Sequence, residues 1–189
     1  MSTVSAALEQ RVWTFDDLQQ LPDEVDWRRY EIVDGALVVS PGPAPTHEFA
    51  SSRLLRIVAA QLPSDVEIIG PVTVDLAPSY RIPDLVVVPM SVFGSHEKRI
   101  WPRDVRLAVE VVSPGSQTTD RITKPAQYAA AGIPAYWRVE TDPVSLTAYE
   151  LDRGATVYTE VGSWTAGQVA RLDRPCPLSV EIDRLWPTG

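Results

Sequence analysis

At 189 residues, with 17 Lys and Arg against 25 Asp and Glu for a net charge of −8, the chain has the size of one globular unit. It is too acidic to coat nucleic acid or anionic membrane by bulk charge. With 44% hydrophobic and 22% charged residues it is far from a disordered composition, and its one cysteine, Cys176, excludes an internal disulfide and a cysteine metal cluster.

Residues 1–10 are expected to form a flexible arm and residues 11–189 a single domain. The arm lacks the basic-then-apolar pattern of a signal peptide, and no apolar run reaches the ~18 residues of a membrane span, so a cytoplasmic, membrane-free protein is expected. Thr14 and Asp17 have the spacing of a capping box ahead of Leu18 and Leu21, and that helix stops at Pro22. Tyr30–Val33 and Ala36–Val39 flank Asp34–Gly35, which predicts a β-hairpin. Pro41, Pro43 and Pro45 break the chain before Thr46, which is placed to cap a helix from His47 to Gln61 with Ala50, Leu54, Val58 and Leu62 on one face.

Strands are predicted next: Val66–Ile69 with Val72–Leu76 as one run interrupted at Gly70–Pro71, then Ile82–Val88, then Val105–Val112. Ser91–Arg103 reads as a loop and Ser113–Thr119 as a turn. Pro125 suits the first turn of a helix through Tyr128 and Ala131, stopped by Gly132 and Pro134. Ala135–Val139 follows as a strand. Ser145–Leu151, Thr156–Val161 and Gln168–Leu172 read as an antiparallel meander, and Leu178–Trp186 is open between strand and helix. The order helix, three strands, helix, strand predicts an α/β fold: a mixed central sheet flanked by helices, with an N-terminal hairpin and a C-terminal β extension.

Glu110 interrupts VRLAVEVV, and alternation puts it on the face of Arg106, Ala108 and Val112. An ionised carboxylate there must be paired, hydrogen-bonded or bound to a cation. A structural ion pair with Arg106 or another arginine and a functional role both meet that requirement. Asp84 stands at the entrance of LVVV, where a lone Asp is ordinarily a turn or cap residue. Two acids on adjacent buried strands are also the oxygen donors that a hard divalent ion takes. Glu31 reads as an exposed hairpin residue, Lys124 as a solvated side chain, and His47 as a polar residue tucked beside Ala50 and Leu54. The sequence holds no His/Cys metal cluster, phosphate-binding glycine loop or nucleophile elbow.

YEIVDG (Tyr30–Gly35), His47 at a helix start, PDLVVV (Pro83–Val88), VEVVSP (Val109–Pro114) and DRITKPAQYAAAGIPAYW (Asp120–Trp137) together resemble the Uma-two-type endonucleases, formerly a domain of unknown function. That family is assigned to the PD-(D/E)XK restriction-endonuclease-like superfamily. The resemblance covers about Tyr30 to Glu140 and implies an αβββαβ core. It implies that Asp84 and Glu110 ligate a divalent ion, Mg²⁺ with Mn²⁺ able to substitute, together with the backbone carbonyl of Val111. It also implies that Glu31 is an additional acid of the site. Val112 occupies the place where the plain motif has its lysine. The family pattern has a lysine after the strand, where Lys124 stands, one of only two lysines in the chain.

The activity implied is hydrolysis of DNA phosphodiester bonds by a metal-activated water, with Glu31, Asp84, Glu110 and Lys124 as the catalytic set. Arg28, Arg29, Arg99, Arg103 and Arg106 are candidate phosphate contacts. A homodimer fits double-strand cleavage and the free edge offered by C-terminal strands. The alternative is a non-catalytic nucleic-acid- or protein-binding member that kept the nuclease fold.

Overall fold

A computed structural model describes residues 11–21, 29–112 and 119–186. The arm expected at 1–10, most of the turn expected at Ser113–Thr119, and Arg28 lie outside the described residues. Helix α1 (Phe15–Gln19) has the expected capping box: Thr14 Oγ1 accepts from the Asp17 N–H, and Asp17 Oδ2 accepts from the Thr14 N–H. The residue it buries is Phe15, whose ring stacks on Tyr80, rather than Leu18 or Leu21.

Strands β1 (Arg29–Val33) and β2 (Ala36–Ser40) form the expected hairpin. Asp34 and Gly35 both take positive φ, 49° and 80°, the conformation a two-residue turn of this kind demands. Helix α2 (Pro45–Ala59) starts two residues before the expected His47. Pro45 needs no N–H at the first position, so the cap residue is Ala44 with no side-chain bond, and Thr46 lies inside the helix.

Strand β3 (Val66–Ile69) enters the central sheet, but the chain then leaves it at Gly70–Pro71. Strands β4 (Val74–Leu76) and β5 (Ser79–Arg81) join the hairpin in a second sheet ordered β2-β1-β5-β4. The expected continuous run from Val66 to Leu76 is therefore split between two sheets. Strand β6 (Leu85–Pro89) returns to the central sheet and begins later than the expected Ile82, because the Ile82 N–H is taken by the Glu31 side chain. Strand β7 (Leu107–Val111) follows.

A π-helical turn (Thr119–Thr123) leads into helix α3 (Lys124–Ala130). Strands β8 (Ala135–Thr141), β9 (Val144–Glu150) and β10 (Thr159–Thr165) complete a six-stranded sheet ordered β10-β9-β8-β7-β6-β3. Only β7 and β8 are parallel, as the crossover through α3 requires. Strands β11 (Val169–Leu172) and β12 (Leu178–Glu181) pair separately rather than extending the meander, and a 3₁₀ turn (Ile182–Leu185) settles the ambiguous ending. No helix among the described residues is long and apolar enough to cross a membrane.

The middle strands of the central sheet, β6, β7 and β8, are buried on both faces. Leu85, Val87, Leu107, Val109, Val111, Trp137 and Val139 share one core with Leu54 and Val58 of α2. Val86, Val88, Ala108 and Tyr136, one residue out of phase, share the other with Tyr128 of α3. The strand register carries that second face toward the site. Leu85 pairs with Val109, and continuing the ladder by one residue sets Asp84 opposite Glu110.

Candidate active site

Asp84, Glu110, Glu31 and Lys124 line one cavity of about 270 Å³, walled also by Arg29, His47 and the backbone at Val111. Their exposures are 2%, 1%, 6% and 6%, so neither Glu31 nor Lys124 is the solvated residue that its isolated position suggests. Asp84 stands just before β6 and Glu110 one residue before the end of β7, where the ladder gives way to open space, and Glu31 lies in the middle of β1. Lys124 opens α3.

Each buried acid has its own cation. Arg29 Nη1 donates to Asp84 Oδ1. Lys124 Nζ donates to Glu110 Oε2 at 2.7 Å, and Arg81 Nη1 donates to Glu31 Oε2 at 3.4 Å. Neutral donors fill the other oxygens: the Val111 N–H to Asp84 Oδ2 at 2.7 Å, the Tyr128 hydroxyl to Glu110 Oε1 at 2.6 Å, and the Ile82 N–H to Glu31 Oε1 at 2.8 Å. His47 Nε2 stands 3.0 Å from Asp84 Oδ2. Pairing of this kind is what makes burial of three carboxylates tolerable.

Burial pushes the Asp84 carboxyl up, but the hydrogen bond and charge of His47, the charge of Arg29 and the Val111 N–H outweigh it and hold Asp84 below its ordinary 3.8. Burial likewise works against the Arg29 guanidinium, and the Asp84 charge overrides it to raise Arg29. Tyr128 is driven well above 10.0 by burial and then by the Glu110 carboxylate. The site is thus set with Asp84 ionised and Tyr128 protonated over the neutral range.

The donor chemistry suits a hard divalent ion. Asp84 and Glu110 present carboxylate oxygens to the same cavity from neighbouring strands. Among the described residues no three His, Cys, Asp or Glu side chains form a closed metal cage. An ion of the Mg²⁺ type needs none, since it takes one or two protein carboxylates and completes its shell with water and phosphate oxygens.

Residues 15–183 match the Uma2 family, described as "Putative restriction endonuclease". The chain belongs to the Uma2 family. Its fold is similar to that of "a putative nuclease belonging to DUF820" from Anabaena variabilis ATCC 29413, with a TM-score of 0.67 at 16% identity over 90% of this chain and 95% of that one. Curated proteins give no match.

Within this Uma2 chain, three cavity or near-cavity partners escape a residue-by-residue reading. Tyr128 carries the clearest signal, because it lies four residues after Lys124 on one helix, and both side chains reach Glu110. His47 sits in the first turn of α2 but bonds Asp84 instead of only filling space among apolar neighbours. Arg81 belongs to a strand too short to be read from pattern. Of the arginines expected to meet phosphate, Arg29 lines the cavity at 21% side-chain exposure. Arg99 pairs with Asp75 and lies over Phe15 and Trp101, Arg103 lies over Trp101, and Arg106 is exposed just before β7. None of these three lines the cavity.

Proposed function

We propose that this chain is a Mg²⁺-dependent endonuclease of the PD-(D/E)XK superfamily that hydrolyses DNA phosphodiester bonds, with Mn²⁺ able to substitute. The observation that carries the reading is the meeting of Glu31, Asp84, Glu110 and Lys124 at one cavity, from four separate elements or strand ends. Asp84, Glu110 and the Val111 carbonyl are the residues that would hold the ion. When bound, Mg²⁺ supplies a water of lowered pKa and positive charge against the phosphate.

The protein's own groups supply the rest. Lys124, whose Nζ lies at the cavity 2.7 Å from Glu110 Oε2, is placed to stabilise negative charge growing on the phosphate oxygens as the water attacks. Arg29, at the rim, attracts the incoming phosphate and orients it. Glu31 holds the Arg81 guanidinium and the Ile82 backbone, fixing the approach to Asp84. Tyr128 and the Val111 N–H fix the rotamers of Glu110 and Asp84.

Purified protein incubated with supercoiled, linear and single-stranded DNA in Mg²⁺ or Mn²⁺ tests this reading. Cleavage that disappears in Asp84→Ala and in Glu110→Ala supports it, and cleavage that survives both substitutions overturns it. Cutting both strands calls for two sites, and β10, at one end of the six-stranded sheet, is the edge on which we place a homodimer contact. The pairing of each site acid with a protein cation favours a second reading, a non-catalytic binding protein whose charges are neutralised internally. That reading predicts no heat of Mg²⁺ or Mn²⁺ binding by calorimetry and DNA affinity unchanged by Asp84→Ala.

A further inference from the structure

Beside the cavity of the candidate active site lies a larger one of about 510 Å³, within the range of small-molecule sites. Its polar lining comes from Asp34, Asp75, Ser79 and Gln127, and Trp101 and Pro102 supply an apolar wall. Among the described residues none lines both cavities. The partition is a hydrogen-bonded chain: Arg81 Nη1 to Glu31 Oε2 at 3.4 Å, Arg81 Nε to Gln127 Oε1 at 2.8 Å, Gln127 Nε2 to Ser79 Oγ at 3.3 Å, and Ser79 Oγ to Asp34 Oδ1 at 3.2 Å.

Two elements serve both cavities at a fixed offset. Helix α3 gives Lys124 to the first and Gln127 to the second, three residues or about 4.5 Å along its axis. The hairpin gives Glu31 to the first and Asp34 to the second, about 10 Å along an extended chain. A phosphate held in the first cavity therefore has the second within the reach of an adjoining nucleotide. The two cavities differ in the charges that line them. The first sets Arg29 and Lys124, which suit a phosphate, beside its three acids. The second is lined by acids without a lysine or arginine; Asp75 there is already paired with Arg99, and the exposed Asp34 is the carboxylate that accepts hydrogen bonds from the ring N–H and amino groups of a base.

We propose that the second cavity receives an unpaired nucleobase next to the scissile phosphate, held against the Trp101 and Pro102 wall with its amino edge toward Asp34 and Gln127. The proposal rests on the nuclease reading for the identity of the phosphate, and it makes the substrate single-stranded, or locally opened, at the point of cutting. Recognition of this kind has a cost in unstacking that mismatched or single-stranded DNA does not bear.

Fluorescence anisotropy in Ca²⁺, with a labelled single-stranded oligonucleotide and the same oligonucleotide made abasic throughout, tests the proposal without relying on cleavage. The wild-type protein is expected to bind the base-bearing strand about tenfold more tightly. Ala130→Phe, which places a ring in the second cavity from an exposed position of α3, is expected to remove that preference and leave abasic binding unchanged. Trp101→Ala, which removes the wall, is expected to do the same. Equal binding of the two strands by the wild type, or a preference that survives both substitutions, overturns the base site. A base preference that these variants remove, in a protein that cleaves no DNA, would retain the base site while the nuclease reading falls.

Discussion

Lys124 Nζ lies 2.7 Å from Glu110 Oε2, with both side chains buried, although the residues come from a helix start and a strand separated by fourteen positions. This contact ties α3 to β7 at the cavity and gives the central sheet's buried acid its counter-charge. Breaking one half of such a pair strands the other charge in a dry setting, so Lys124→Met and Glu110→Gln are each expected to lose about 3–5 kcal/mol of stability in urea denaturation. The double variant Glu110→Gln/Lys124→Met is expected to recover part of that loss, because no charge is left unpaired. Equal and additive losses would show that the two residues do not act as a pair.

Asp84 predicts the acid limb of stability. Its folded pKa lies below the ordinary 3.8, so below that value the unfolded chain binds a proton that the folded chain still refuses. The stabilisation is complete above 3.8 and is lost as pH falls through the lowered folded value. Urea denaturation from neutral pH down through 3.8 should therefore give a shallower acid slope in Asp84→Asn than in wild type. An unchanged slope would mean that the His47 and Arg29 contacts contribute nothing to folding.

Tyr128 predicts the opposite limb. Burial and the Glu110 carboxylate hold the phenol well above 10.0, so its contribution is complete below 10.0 and declines as pH rises beyond it. Tyr128→Phe removes a buried donor at 2.6 Å from Glu110 and is expected to cost about 1–3 kcal/mol at neutral pH. Above pH 10.0 its stability should fall less steeply than that of the wild type, measured by denaturant titration.

Gly70 predicts a route by which a residue outside the cavity disturbs it. A Cβ there would overlap the Asp84 carbonyl oxygen and lie 2.9 Å from Leu85 Cα, both backbone atoms that cannot rotate aside. Gly70→Ala is expected to displace the entrance of β6, lower stability by about 1–3 kcal/mol, and reduce cleavage more than a comparable loss at a remote core position. A variant with wild-type stability and activity would show that this backbone approach is freely adjustable.

Much of the fold is legible in the chain because its signals are local. Asp34–Gly35 dictates its own turn, Thr14 with Asp17 caps its own helix, and Glu110 stands out because its neighbours in VRLAVEVV are apolar. What is not legible depends on distant partners. Ser79–Arg81 is a strand because it pairs with β1 and β4, and no three-residue pattern encodes that. Asp84 meets His47 and Arg29 from 37 and 55 positions away, so its environment is a product of the fold. For the same reason Arg106, four residues before Glu110 on the same alternating face, reads as a candidate partner for it, whereas the fold delivers Lys124 and Tyr128 from α3.

The most direct test of the central claim, that Asp84 and Glu110 together hold a catalytic divalent ion, is a crystal structure with Mn²⁺ located by anomalous scattering. The account predicts one ion within ligand distance of both carboxylates and the Val111 carbonyl, with Arg29 or Lys124 drawn back from the acid it now pairs with. Both carboxylates still closed on their protein cations at saturating Mn²⁺, with no ion between them, would contradict it.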